Sequence, residues 1–92
     1  MTTPSVRENR RETRRPAAGA VRVSYSNPQR LEIQGRLLDL SASGFRMAHR
    51  CTSLVAGQAV EFTHTEASGR AQVMWNRIVE DRVETGFLVV ES

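Results

Sequence analysis

Residues 37–47 read Leu-Leu-Asp-Leu-Ser-Ala-Ser-Gly-Phe-Arg-Met, in which a short polar stretch separates two apolar runs. Aspartate, serine and glycine in close succession between apolar segments are typical of a tight turn that joins two β-strands. Asp39 and Ser41 lie two residues apart, so at an extended strand end both side chains point to the same side. Gly44 leaves room for a positive φ or for a ligand close to the backbone. An ordinary turn, capped by its own Asp and Ser side chains, explains the same residues.

Alternation of apolar and polar residues on both sides of this turn predicts further strands, spaced about ten residues apart. Short strands at this spacing are typical of an all-β barrel or sandwich. A chain this small buries little core, so a closed sheet would help by removing exposed strand edges. The predicted strands cover residues 21–25, 32–40, 44–48, 58–63, 70–78 and 83–90, and residues 49–56 are predicted to form a short helical turn or a loop.

Residues 1–16 differ in composition from the rest of the chain, and we expect them to form a flexible arm ahead of one domain at residues 17–92. The arm holds five arginines against two glutamates, a balance of +3, whereas residues 17–92 hold eight arginines against eight acidic residues. All thirteen basic residues of the chain are arginines. The planar guanidinium binds phosphate through two parallel hydrogen bonds and stacks on bases, whereas an ammonium group acts as a point charge.

Arginines spaced four residues apart recur in the arm and precede the Asp-x-Ser-x-x-Gly stretch by about two dozen residues. This combination resembles the PilZ domain, a bacterial receptor for cyclic di-GMP. Residues 54–62, 71–75 and 86–89 are similar to three further elements of that family: a leucine–glycine–strand segment, an Ala-x-Val-x-Trp strand and a closing strand that begins with glycine. The spaced pairs are Arg7 with Arg11, Arg10 with Arg14, and Arg11 with Arg15.

The resemblance implies a six-stranded antiparallel β-barrel with a short helical turn, which binds cyclic di-GMP and needs no cofactor or metal. The family's common Arg-Arg-x-x-x-Arg form fits residues 10–15, with Arg11 and Arg15 as the favoured pair and Arg10 and Arg14 as the offset alternative. The predicted ligand-binding residues are Arg10, Arg11, Arg14, Arg15, Asp39, Ser41, Ser43, Gly44 and Trp75.

Cyclic di-GMP carries two phosphodiesters and two guanines, so its receptor needs cations, hydrogen-bonding groups and flat surfaces. Arginine binds phosphate and also matches O6 and N7 of guanine. Asp39 can accept hydrogen bonds from guanine N–H groups or orient an arginine, and Ser41 and Ser43 can donate. Trp75 falls on the apolar face of the fifth predicted strand. It is either a core indole or a platform for guanine at the barrel rim.

The leading hypothesis is a receptor without catalytic activity, in which the ligand orders the arm and changes the surface that a partner protein contacts. In the family, such partners belong to motility, biofilm or exopolysaccharide machinery. Nucleic-acid binding through the basic arm is an alternative, although the neutral body and the scarcity of aromatic residues disfavour it. A PilZ-like adaptor that binds only protein is another alternative. Family members of that kind tend to lack the Arg or Asp-x-Ser residues that this chain keeps.

Features that the sequence lacks argue against several other classes of protein. The single cysteine, Cys51, cannot form an internal disulfide, which agrees with a reducing compartment. No apolar run approaches the roughly 18 residues of a membrane span. The N-terminus also has no apolar signal region, so we expect a cytoplasmic protein without membrane insertion, monomeric when free. His49 and His64 lack neighbours at metal-ligand spacing and no nucleophile elbow is present, so we expect neither a metal site nor an enzyme.

Overall fold

The structure, a computed structural model, describes residues 13–26 and 29–92. These residues form seven β-strands and no helix, which confirms the all-β fold class. Six strands match the predicted ones to within two residues at each end, and the remaining strand, β1, was not predicted. Within the same residues, no helical segment has the length and hydrophobicity of a membrane span. The strands are β1 (Arg15–Pro16), β2 (Ala20–Ser26), β3 (Arg30–Leu40), β4 (Gly44–His49), β5 (Ala59–Thr63), β6 (Ser68–Val79) and β7 (Arg82–Glu91).

The sheet closes into a six-stranded antiparallel barrel in the order β3-β2-β5-β6-β7-β4, with β4 paired back to β3. Closure satisfies the backbone hydrogen bonds that the outer strands of an open sheet would expose. The short strand β1 pairs with the last two residues of β3, and Pro16 lies opposite Asp39. The end of the predicted arm is therefore part of the sheet, whereas residues 1–12 of the arm lie outside the described residues.

Side chains that point inwards from all six barrel strands form one core, as the alternation of a β-strand requires. The ring of Phe45 stacks on Phe87 with the ring centroids 4.7 Å apart, and it contacts the tilted ring of Phe62 at 4.9 Å. These packed aromatic rings fix the interior of the barrel, and functional side chains must therefore lie on its outer face or at its ends. The most completely buried side chains are Val21, Val23, Phe45, Met47, Val73 and Thr85.

One extra residue in β3 changes the side of the sheet to which the side chains at the end of this strand point. Leu37 lies opposite Met47 with both side chains in the core, but the next pair is Asp39 with Arg46. Leu38 is therefore the inserted residue of a β-bulge. Strict alternation would point Asp39 into the core. The bulge directs its carboxylate to the outer face, where it meets arginine side chains.

A second bulge has the same effect in β6. Val73 lies opposite Phe87 inside the barrel, and the next pair is Trp75 with Gly86, so Met74 is the inserted residue. The prediction that Trp75 lies on the apolar face of this strand is wrong, because the bulge turns the indole to the outer face. Together, the two bulges direct one carboxylate and one aromatic ring towards the same outer surface of the barrel.

The segment predicted at residues 49–56 as a helical turn or a loop is a loop, which connects β4 to β5. The helical turn that the family resemblance implied does not occur in the residues that the structure describes. Leu54 inserts into the barrel core from this loop. Asn76 of β6 donates from Nδ2 to the carbonyl oxygen of Leu54 at 3.0 Å. The segment is thus held by the buried side chain of Leu54 and by the hydrogen bond from Asn76, and not by helical backbone hydrogen bonds.

Candidate functional site

Four residues from four neighbouring strands lie side by side on the outer face of the barrel. They are Asp39 of β3, Arg46 of β4, Gly86 of β7 and Trp75 of β6, and each is the direct cross-strand partner of the next. Directly opposite residues in adjacent strands are about 5 Å apart, so the row is roughly 15 Å long. A carboxylate lies at one end, an indole at the other and a guanidinium between them. The outer surface formed by residues 36–39, 46–50, 75–77 and 81–86 is called the Asp39 face below.

The Asp39 carboxylate is nearly buried, with 7% of the residue exposed, and it is covered by two guanidinium groups. Arg14 donates from Nη1 to Oδ1 at 3.0 Å. Arg46 donates to Oδ2 from Nε at 2.8 Å and from Nη2 at 2.5 Å. These hydrogen bonds to Asp39 raise the pKa of Arg46. The Arg14 contact joins the arginine-rich segment to the Asp-x-Ser-x-x-Gly stretch, although 25 residues separate the two partners.

The Trp75 indole lies across Gly86, and a Cβ atom at residue 86 would overlap the ring. Glycine is therefore what allows the ring to lie flat against β7. The guanidinium carbon of Arg77 lies 5.6 Å from the centre of the indole, within the range of a cation–π interaction. Trp75 is half-buried and does not belong to the core cluster. The indole therefore lies on the outer face of the barrel and not in its core.

Glu84 of β7 is a second nearly buried carboxylate on the Asp39 face, with 6% of the residue exposed. Its Oε1 accepts a hydrogen bond from Arg77 at 3.0 Å, and its Oε2 accepts one from Arg82 at 2.9 Å. The bond from Arg77 is the largest cause of the lowered pKa of Glu84. Arg46 Nη1 lies 3.8 Å from Oε1 of the same carboxylate. Arg46 thereby links Asp39 to Glu84, and four arginines surround two carboxylates.

Positive charge is concentrated on the Asp39 face, although the sequence from residue 17 onwards is neutral on balance. Elsewhere on the described surface, the ion pairs match one arginine to one glutamate: Arg15 with Glu66, Arg22 with Glu32, Arg30 with Glu61, and Arg70 with Glu91. The face with its bound Arg14 holds six arginines against three carboxylates, 6 − 3 = +3, or +2 if Glu80 of the adjoining turn is included. The six arginines are Arg14, Arg36, Arg46, Arg50, Arg77 and Arg82, and the three acids are Asp39, Asp81 and Glu84.

A separate cavity of about 530 Å³ opens at the end of the barrel beside β1. Arg15, Ser41 and Gly44 line it, so these predicted residues face the barrel end and not the Asp39 row. Arg15 donates to both carboxylate oxygens of Glu66, at 2.5 and 3.3 Å, and these hydrogen bonds lower the pKa of Glu66. The adjacent residues Arg14 and Arg15 thus bind two different acids on two different surfaces.

Contacts within the barrel account for the positions of Ser41, Ser43 and Gly44 in the predicted turn. A Cβ at Gly44 would overlap the carbonyl oxygen of Phe87, so the close neighbour that requires glycine here is strand β7. Gly44 has no positive φ. Ser43 is exposed in the turn, and its carbonyl oxygen accepts a hydrogen bond from the backbone N–H of Val89 at 2.8 Å. Ser41 donates from its hydroxyl to the carbonyl oxygen of Gly44 at 3.4 Å, which closes the turn.

The structure brings Arg14, Asp39 and Trp75 onto one face and places Arg15, Ser41 and Gly44 next to it. Arg10 and Arg11 lie outside the described residues, so the choice between the two arginine pairs stays a prediction. Sequence reasoning named only Arg14, Asp39 and Trp75 of the Asp39 face and missed its other members, among them Arg46, Glu84 and Gly86. The only local signal was a charged residue between the apolar Phe45 and Met47, whereas the partners of Arg46 become visible only through cross-strand register.

Within residues 13–26 and 29–92, no three His, Cys, Asp or Glu side chains lie close enough together to hold a metal ion. No protein-family model matches the chain, and no curated protein matches it either.

Proposed function

We propose that this protein is a receptor for cyclic di-GMP that binds the ligand on the Asp39 face. The observation that carries the proposal is the excess of arginine on this face, six against three carboxylates, beside an outward-facing indole. Cyclic di-GMP has one negative charge on each of two phosphodiesters and two flat purine rings. A surface with excess guanidinium groups and an aromatic platform matches both features.

Asp39 and its arginines supply the hydrogen-bonding groups that a guanine nucleotide requires. In the free protein, Arg14 occupies Oδ1 of Asp39 and Arg46 occupies Oδ2. A guanine whose N–H groups approach Oδ1 displaces Arg14, which is 46% exposed and can turn towards a phosphate. This exchange replaces one charge-assisted hydrogen bond by others of similar strength, so it costs little free energy. The guanidinium of Arg46 can remain on Oδ2 throughout.

Displacement of Arg14 provides a route from ligand binding to signalling. Arg14 directly precedes β1, and β1 is held to β3 by only two residue pairs. A ligand that displaces Arg14 from Asp39 and draws the other arginines of the arm onto the Asp39 face changes the surface around β1. A downstream protein that recognises only one of the two surfaces would then respond to the ligand.

Isothermal titration calorimetry with cyclic di-GMP tests the proposal directly, with a linear guanosine dinucleotide and a short single-stranded RNA as control ligands. We expect saturable binding of cyclic di-GMP and weaker binding of both controls. Arg14→Ala should weaken binding by about 2 kcal/mol, the scale of one charge-assisted hydrogen bond. Arg30→Ala makes the same change of charge in the evenly paired part of the barrel and should leave the affinity unchanged. Stronger binding of RNA than of cyclic di-GMP would instead support the nucleic-acid alternative.

A further inference from the structure

A second row of residues runs parallel to the Asp39 row on the same face. It consists of Arg36, Ala48, Glu84 and Arg77, again as direct cross-strand partners on β3, β4, β7 and β6. Ala48 has the smallest side chain of the four, so the surface dips above it. The resulting hollow has a volume of about 310 Å³ and is lined by Arg36, Ala48, His49, Arg50, Asp81 and Arg82.

The arginines around this hollow are only partly neutralised. Arg36 is exposed and has no ion-pair partner in the part of the chain that the structure describes. Arg82 is held by Glu84 at 2.9 Å and keeps 36% of its side chain exposed. Arg50 lies 3.7 Å from Asp81, and both side chains are about four-fifths exposed, so this pair is weak.

His49 contributes no charge to the hollow. Its Nδ1 accepts a hydrogen bond from the backbone N–H of Cys51 at 3.1 Å, and its Nε2 lies 2.6 Å from the hydroxyl oxygen of Thr85. Both ring nitrogens are thus occupied by neutral groups. Burial also lowers the pKa of His49. The electrostatic character of the hollow is therefore set by its three arginines, by Asp81 and by the neighbouring Glu84.

We propose that the hollow above Ala48 is an anion-binding site that takes a phosphate group. Arg36 on β3 and Arg82 on β7 approach it from opposite walls, and a guanidinium binds phosphate with two parallel hydrogen bonds. Glu84 already fixes Arg82, so ordering that side chain on an anion loses little entropy. The volume is roughly ten times the ~30 Å³ that one water molecule occupies in the liquid, which is enough for a hydrated phosphate.

The phosphate can come from two sources. Ala48 lies two residues from Arg46 along β4, so the hollow is about 7 Å from the Asp39 row. One source is therefore a phosphodiester of the cyclic dinucleotide, and this version rests on the proposed function. The other source is a separate phosphate-bearing molecule, and the site itself does not depend on what occupies the Asp39 row.

The test uses the full chain with Arg36→Ala, because Arg36 has no ion-pair partner among the described residues and its loss should leave the fold intact. Arg22→Ala is the matched control, an exposed arginine on the outer face of β2 with the same change of charge. Inorganic pyrophosphate is titrated while the backbone amides are followed by NMR. In the wild type, the shifts should centre on Arg36, Ala48 and Arg82. Arg36→Ala should weaken pyrophosphate binding at least tenfold, and Arg22→Ala should not.

A second variant and a second ligand separate the remaining outcomes. Ala48→Leu fills the hollow without changing charge and should weaken pyrophosphate binding as Arg36→Ala does. A tenfold loss of cyclic di-GMP affinity in Arg36→Ala assigns the hollow to a phosphate of that ligand, and a loss for pyrophosphate alone assigns it to a separate molecule. If the wild type binds pyrophosphate in the hollow but not cyclic di-GMP, the proposed function fails and the anion site stands. Equal effects of Arg36→Ala and Arg22→Ala, or shifts centred elsewhere, overturn the site.

Discussion

Arg46 is the residue on which both the stability and the chemistry of the Asp39 face depend. It covers Oδ2 of a carboxylate that is only 9% exposed in its side chain, and it approaches a second carboxylate, that of Glu84. Arg46→Ala leaves half of the buried Asp39 carboxylate without a donor. We expect a loss of about 1–3 kcal/mol in the free energy of unfolding, measured by urea denaturation. Arg70→Ala breaks an exposed pair with Glu91 and should cost no more than about 0.5 kcal/mol. Equal losses would mean that solvent screens Asp39 in spite of its burial.

Gly86 determines where the Trp75 ring lies. Gly86→Ala should displace the indole, because the added Cβ overlaps it. The cost in folding is about 1–3 kcal/mol for crowding a packed site. Loss of base stacking should weaken cyclic di-GMP binding about tenfold, since stacking on an aromatic ring contributes roughly 1–3 kcal/mol. A double-mutant cycle with Trp75→Leu, followed by calorimetry, isolates the ring. If Gly86→Ala weakens binding equally in both backgrounds, it acts through something other than the indole.

The elements themselves show what the sequence could and could not predict. Alternating apolar residues located six strands within two residues of their ends, because each strand has one face in the core. The bulges at Leu38 and Met74 were missed, since one inserted residue leaves the composition of a strand unchanged. Each bulge nevertheless reverses all side chains beyond it. This is why Trp75 was assigned to the apolar face of β6.

Besides the bulges, the sequence did not show the cross-strand register, that is, which residues of neighbouring strands lie opposite each other. Asp39 was identified because its neighbours in the chain form a recognisable turn. Arg46, Gly86 and Glu84 were not, because they become neighbours of Asp39 only once β4 pairs with both β3 and β7. Such pairings depend on the closure of the whole barrel. Motifs within one segment were therefore visible in the sequence, whereas a site assembled across four strands was not.

Strand β1 adds a prediction about the arm. Arg15 is bound to Glu66 in the free protein, and this ion pair competes with any anion for the same guanidinium. Glu66→Gln should release Arg15 and raise the affinity for cyclic di-GMP about twofold to threefold, a modest effect because the pair is exposed. Glu91→Gln removes another exposed glutamate that is paired with Arg70, so it controls for net charge. Weaker binding by Glu66→Gln, measured by calorimetry beside this control, would show that Glu66 holds Arg15 in the binding position.

At the scale of the whole molecule, the net charge does not show how arginines and acidic residues are distributed over the barrel surface. Eight arginines and eight acids in residues 17–92 suggested a neutral body, which counted against nucleic-acid binding. Within these residues, the Asp39 face holds five arginines against Asp39, Asp81 and Glu84, and Arg14 adds a sixth, whereas the other ion pairs match one arginine to one glutamate. An anion therefore meets a local field that is stronger than the overall charge implies, and this field is screened beyond about 10 Å at moderate salt.

The stability of the whole barrel should depend on pH in two steps. Burial lowers the pKa of His49 and of His64 below the ordinary 6.5, so the unfolded chain takes up protons there before the folded protein does. The free energy of unfolding should therefore fall as the pH drops below about 6.5. Arg77 lowers the pKa of Glu84 below its usual 4.5, and that contribution is lost as the pH falls from 4.5 through the folded value.

Urea denaturation between pH 7.5 and 3 measures both steps. The double variant His49→Gln/His64→Gln should remove the first step, and each single variant should remove about half of it if the two histidines contribute equally. Glu84→Gln should reduce the second step, to which Glu66 also contributes, and leave the first unchanged. Glutamine at residue 49 can still accept from Cys51 and donate to Thr85, so the variant changes the titration more than the packing. A first step that persists in the double variant would mean that other groups, and not these buried imidazoles, couple protonation to unfolding.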